Sequence, residues 1–185
     1  GYEVHTYQLP ILADDRRAGT TLAQRALDIV DLPADLEVLI CYSSVPSEAL
    51  GYDLGGALIT SYGPAADAIG VGALGGEAST EGLPQLTWDA LERDLLLAAH
   101  HTDTIYVYSL EGCVERGLLP RLTAFDWDAE AHPLAWKRAL VGAVRACILI
   151  WLLCARYSRV LFAWLGWGLF ALLLARRLRA ARPER

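Results

Sequence analysis

Four short segments rich in β-branched and aromatic residues recur at nearly even spacing: YEVHTY (2–7), LEVLICYS (36–43), DAIGVGAL (67–74) and TIYVYSL (104–110). Their starts, at Tyr2, Leu36, Asp67 and Thr104, lie 34, 31 and 37 residues apart. That is the length of one strand followed by a crossover helix. Helical patterns occupy the gaps. TTLAQRALDIV (20–30) gathers Leu22, Ala26, Ile29 and Val30 on one face, with Thr20 or Thr21 as N-cap. TWDALERDLLLAAHH (87–101) opens on Thr87 with acids in its first turns, where they favour the helix dipole. CVERGLLPRL (113–122) follows the fourth strand, and the glycine-rich stretch between the second and third strands leaves room for a short helix only.

Strict alternation of strand and helix implies a parallel sheet. Two α/β architectures satisfy it: a partial (β/α)8 barrel of about four βα units, or an open doubly wound sheet. A complete barrel has about 250 residues, so four units in about 125 residues make half of one. The chain contains no methionine and begins Gly-Tyr-Glu-Val, inside what reads as a strand. We therefore expect a piece of a longer protein, which favours the barrel.

The formal charge of −6 conceals a polarity, because the last thirty residues contain seven arginines and one glutamate. The amino-terminal part is thus more acidic than the total, which argues against a nucleic-acid partner. The four cysteines, at 41, 113, 147 and 154, show neither CxxC nor metal-ligand spacing. They read as free thiols in a reducing compartment, and no metal or cofactor is expected. His100, His101 and Asp103 fall where a helix ends and are assigned a helix-end role.

Polar residues at strand ends are the candidate site. In the first strand Tyr2, Val4 and Thr6 can face the helices, leaving Glu3, His5 and Tyr7 on the inner face, where buried polar groups need partners. His5 and Tyr7 are assigned to substrate binding and Glu3 to structure. The stretch QLPILADDRRAGTT reads as an exposed loop offering Gln8 and Asp14 to a ligand, the alternative being a solvated salt-bridged loop. Tyr42 and Ser43 end the second strand; a tyrosine there can stack on a sugar ring, while Ser43 has no GxSxG elbow and is not a nucleophile. GVGALGG (70–76) fits GxGxxG on paper, but no helix opens inside it, so the dinucleotide reading fails. Glu111 ends the fourth segment with Gly112 behind it. It is placed either to enter the mouth of a site as one of the two carboxyl groups that glycoside hydrolysis needs, or to stabilise the next helix.

The order of elements, the polar strand ends and the stretch YVYSLEG resemble the carboxy-terminal half, strands five to eight, of a TIM barrel of the glycoside-hydrolase kind. The resemblance covers residues 1 to 126. It implies an active site at the carboxy-terminal strand ends and a nucleophile from the seventh strand, for which Glu77, set beyond two glycines, is the counterpart. The fourth-strand acid of that clan has no counterpart here. A phosphosugar-binding barrel enzyme using Gly75 and Gly76 is an alternative, as is a non-catalytic membrane-tethered sensor or scaffold.

After a linker (127–138) the chain turns apolar. ALVGAVRACILIWLLCA (139–155) has one charge, Arg145, and VLFAWLGWGLFALLLA (160–175) has none. Joined by RYSR, the two runs predict a transmembrane helical hairpin over 139–181, with the lipid bilayer as partner. Basic residues at both hairpin ends then place the globular domain in the cytoplasm. The expected function is a membrane-anchored barrel protein acting on a carbohydrate-like ligand.

Overall fold

The computed structural model of the chain describes residues 2–44, 53–72 and 85–180. Its elements are β1 (His5–Gln8), α1 (Ile11–Ala18), α2 (Leu22–Leu27), β2 (Leu36–Ile40), α3 (Ala57–Tyr62) with a 3-10 turn (Gly63–Ala65), β3 (Ala68–Gly72), α4 (Trp88–Ala99), β4 (Ile105–Tyr108), α5 (Leu110–Glu115), α6 (Leu119–Thr123) and α7 (Ala135–Ala180). The fold is mixed α/β. All four strands are parallel and stand in chain order, β1-β2-β3-β4. A doubly wound sheet reverses direction at a switch point; these strands step one way only. With right-handed crossovers, such stepping lays the helices on a single face.

The core confirms this placement. Leu39, Cys41, Ile69 and Val71 alternate onto one face and pack against Ile59 and Tyr62 of α3, Leu91, Leu95 and Ala98 of α4, and Cys113 of α5. Thr87 caps α4 as expected, its hydroxyl accepting from the Ala90 N–H at 3.3 Å.

Two expectations need correction. Residues 11–18, read as an exposed loop, form helix α1, and Asp14 and Asp15 within it are fully buried. Asp15 caps α2 from a distance, accepting from the Leu22 and Gln24 N–H groups at 3.1 and 3.0 Å and from the Thr20 hydroxyl. The signal was local: α1 closes on Gly19, whose φ of 63° forms a left-handed C-cap.

The second correction concerns the hairpin. A single helix of 46 residues runs through 156–159, where a turn was expected. RYSR contains no glycine or proline to break it, Arg156 is tied to the Ala18 carbonyl at 2.8 Å, and the Ser158 hydroxyl donates back to Ala155 at 3.0 Å. One stripe of α7, comprising Lys137, Val141, Arg145, Leu152 and Arg156, lies along α1 and α3. The helix starts at Ala135, inside the expected linker, where Leu134 covers Gly55. Beyond Arg156 the described apolar side chains are exposed, Trp164 and Trp167 by 72% and 70%.

Candidate functional site

The face of the sheet opposite the helices is built by the other half of each strand's alternation. It carries His5 and Tyr7 from β1, Val38 and Ile40 from β2, Gly70 and Gly72 from β3, and Tyr106 and Tyr108 from β4. Tyr42, two residues past Ile40, continues the same parity. The glycines explain how so many rings fit. Gly72 pairs with Tyr108, and a Cβ on Gly72 would sit 3.1 Å from both Tyr42 Cγ and Ser44 Oγ. Over that gap the rings of Tyr42 and Tyr108 stack at 5.8 Å and 15°. Burial, then the neighbouring phenols of Tyr108 and Tyr7, push the Tyr42 hydroxyl up to about 12, so it stays a neutral donor near neutral pH.

Contacts between the two edge strands fix the shape of this face. Three inter-strand steps of about 4.8 Å would separate β1 from β4 by about 14 Å in a flat sheet, with side chains standing perpendicular to it. Instead the rings of Tyr7 and Tyr106 meet edge to face at 5.6 Å, and the Tyr106 hydroxyl lies 2.9 Å from His5 Nδ1. The sheet therefore curls toward its helix-free face, which is concave and tyrosine-lined. Tyr7 and Tyr108 remain 51% and 55% exposed, so their rings are open to a ligand.

Of the residues assigned from sequence, His5, Tyr7 and Tyr42 come together here. His5, however, opens β1, and its Nε2 faces Glu3 at 3.4 Å, so it lies toward the amino-terminal edge of the sheet and not at the carboxy-terminal rim. Gln8, Asp14 and Ser43 do not join them. Gln8 lies one residue out of phase with Tyr7, on the helix side, where its amide donates to the Val30 carbonyl at 3.4 Å. Asp14 accepts from the Tyr62 hydroxyl at 2.7 Å and from Arg145 at 2.8 Å. Ser43 shares the parity of Cys41 and is buried beside Asp94. Glu111 does not end β4: Ser109 intervenes, its hydroxyl accepting from the Gly112 N–H at 3.2 Å as the cap of α5, and Glu111 sits exposed in that helix's first turn. Glu77, Gly75 and Gly76 lie outside the described residues.

Tyr106 and Tyr108 were overlooked in the sequence. The signal was present in IYVY, where Ile105 and Val107 take the helix face and leave both tyrosines on the other.

On the helix side a partly buried ionic cluster stands beside Ser43. Arg93 donates to Asp53 Oδ1 at 2.7 Å and to Asp94 Oδ1 at 2.9 Å. Lys137 of α7 donates to the Asp53 carbonyl. Burial raises the Asp94 carboxyl to about 6, against the lowering effects of Arg93 and the nearby Ser43 hydroxyl. Ser43 is close enough to be felt, yet neither its hydroxyl nor Asp94 Oδ2 has a partner in hydrogen-bond geometry. Among the described residues no three His, Cys, Asp or Glu side chains converge as metal ligands. No family model, curated protein or solved structure matches the chain.

Proposed function

We propose that the chain is part of a (β/α)8-type barrel that binds a carbohydrate-like ligand over its concave tyrosine face and is held at a membrane by α7. The observation that carries the binding role is the open cluster of Tyr7, Tyr42, Tyr106 and Tyr108 over Gly70 and Gly72. Tyrosine presents a flat apolar ring to the C–H face of a sugar and a hydroxyl to its polar edge, and a concave apolar wall with few convergent polar groups is the usual form of a small-molecule site. Chain-order strands, helices on one face and inward curvature together support the barrel.

The test is a titration of the full chain in detergent micelles with a panel of neutral oligosaccharides, followed by tyrosine fluorescence. Replacing Tyr108 by alanine should weaken the best binder by about tenfold, or about 1.4 kcal/mol. If no saccharide binds, or Y108A binds as tightly as the parent, the assignment is lost.

Hydrolysis is a second reading, favoured by the position of Glu111 three residues beyond Tyr108. It needs a second carboxyl group, and among the described residues the concave face offers Glu3, at the opposite edge. Glu111→Gln should abolish turnover of any cleaved glycoside while leaving its binding intact.

One helix is long and apolar enough to cross a membrane. Its first part is committed to the domain, so the span is assigned to residues 160–175, which rise about 24 Å and cross the hydrocarbon core, about 30 Å thick, with thinning or snorkelling at the ends. A single span reverses the expected side. Arg156 and Arg159 precede it and five arginines follow it, so the positive-inside tendency puts the tail in the cytoplasm and the domain outside. A membrane-impermeant maleimide added to intact cells should label the exposed Cys147 and Cys154, which stand on the domain side of the span; labelling only after lysis would place them inside.

A further inference from the structure

Where α7 leaves the domain, the turn between α1 and α2 and the helix enclose a cleft of about 400 Å³. Gly19, Thr20 and Thr21 form one wall, and Arg156 and Arg159 the other. We propose that this cleft binds a phosphate group, that of a phospholipid headgroup or of a free phosphate.

The wall is preorganised for an anion. A Cβ on Gly19 would fall 2.2 Å from Arg156 Nη1, so the glycine is what lets the guanidinium lie flat across the turn. Arg156 donates one nitrogen to the Ala18 carbonyl at 2.8 Å, which fixes the plane of the group and leaves its other N–H donors for a ligand. Arg159 stands three residues on, hence on the same side of the helix, and is exposed. Paired guanidinium forks match phosphate oxygens in geometry and charge.

Among the described residues no acidic side chain lines the cleft. Asp15, which binds the Thr20 side chain of the cleft wall, is fully buried and already accepts from that hydroxyl and two backbone N–H groups. Because Asp15 caps α2, the Thr21 hydroxyl makes no cap bond of its own and is available to the ligand. The location adds the lipid source. Arg159 immediately precedes the apolar run 160–175, so on the membrane assignment made above, on which only this source depends, the cleft opens at headgroup level.

The full chain in neutral-detergent micelles would be titrated separately with inorganic phosphate, phosphatidylglycerol and phosphatidylcholine, with calorimetric readout. Saturable binding is expected for at least one of them, weakened at least tenfold in Arg159→Gln, an exposed position whose change leaves the fold intact, and unaffected in Arg138→Gln, on α7 outside the cleft. A lipid that binds more than tenfold tighter than inorganic phosphate assigns the site to headgroups; inorganic phosphate binding as tightly assigns it to a soluble phosphate. Absence of saturable binding by all three, or binding unchanged in both Arg159→Gln and Arg156→Gln, overturns the site. Carbonate extraction of membranes reads the span independently, since a chain released by carbonate that still binds phosphate loses the span and keeps the cleft.

Discussion

Arg145, the one charge in the first apolar run of α7, donates its Nε to Asp14 of α1 at 2.8 Å, and Asp14 is fully buried. The guanidinium also stacks on Tyr62 at 4.0 Å and donates to the Ser61 carbonyl. Two residues 131 apart in sequence thus fasten the long helix to the α/β layer.

Removing one member strands the other charge out of water. Arg145→Met should destabilise the domain by about 3 to 5 kcal/mol, whereas changing both residues, Asp14→Leu with Arg145→Met, should recover most of that loss. Urea unfolding of the single and double variants checks this. Equal loss in the double variant would show that packing of the helix, not the uncompensated carboxylate, sets the cost.

Gly72 tests the concave face directly. Alanine there would press its Cβ against Tyr42 Cγ and Ser44 Oγ at 3.1 Å, so Gly72→Ala should displace the Tyr42 ring and cost about 1 to 3 kcal/mol. Gly70 has ordinary contacts, the nearest at 3.5 Å, and Gly70→Ala should be milder. Thermal melts of the pair give the comparison, and the Tyr42–Tyr108 stack should lose its cross-ring NOEs only in Gly72→Ala.

The parallel sheet was legible because spacing and β-branched runs encode it, and the alternation in YEVHTY placed His5 and Tyr7 on the correct face. What the sequence hid was the partner of each polar residue. Asp14 and Arg145 each look out of place alone, an acid in a supposed loop and a cation in a supposed span; only the tertiary contact makes both ordinary. The continuous helix was hidden for a related reason. Charges between two apolar runs read as a hairpin turn, yet Arg156 is there to grip the Ala18 carbonyl. Glu111 was drawn to the strand end because Ser109, the residue that caps α5, was read as part of the strand.

The cap on α4 offers a smaller test. Thr87 is the side-chain acceptor for Ala90 N–H, and α4 supplies Leu91, Leu95 and Ala98 to the core. Thr87→Ala should cost about 1 kcal/mol and Thr87→Ser almost nothing, measured as shifts of the urea midpoint with an unchanged slope.

Asp94 gives the pH dependence. Its folded carboxyl is raised to about 6 by burial, above the unfolded value of about 3.9, so the folded state holds the proton more tightly than the unfolded one. Stability from this group is therefore full below the unfolded value, declines as pH rises through the folded value, and is level above it. The decline amounts to about 3 kcal/mol at most. Asp53 works in the opposite sense: although burial pushes it up, the Arg93 and Gly55 hydrogen bonds hold it below the usual range, so its contribution is present above the unfolded value and is lost only as pH falls through the lowered one. The two windows do not overlap. Urea midpoints taken between about pH 4 and 7 should fall with rising pH in the parent chain and lose that fall in Asp94→Asn, where the His101 imidazole, lowered by burial and by His100, leaves only a rise; a decline that survives in Asp94→Asn would move its origin to another group.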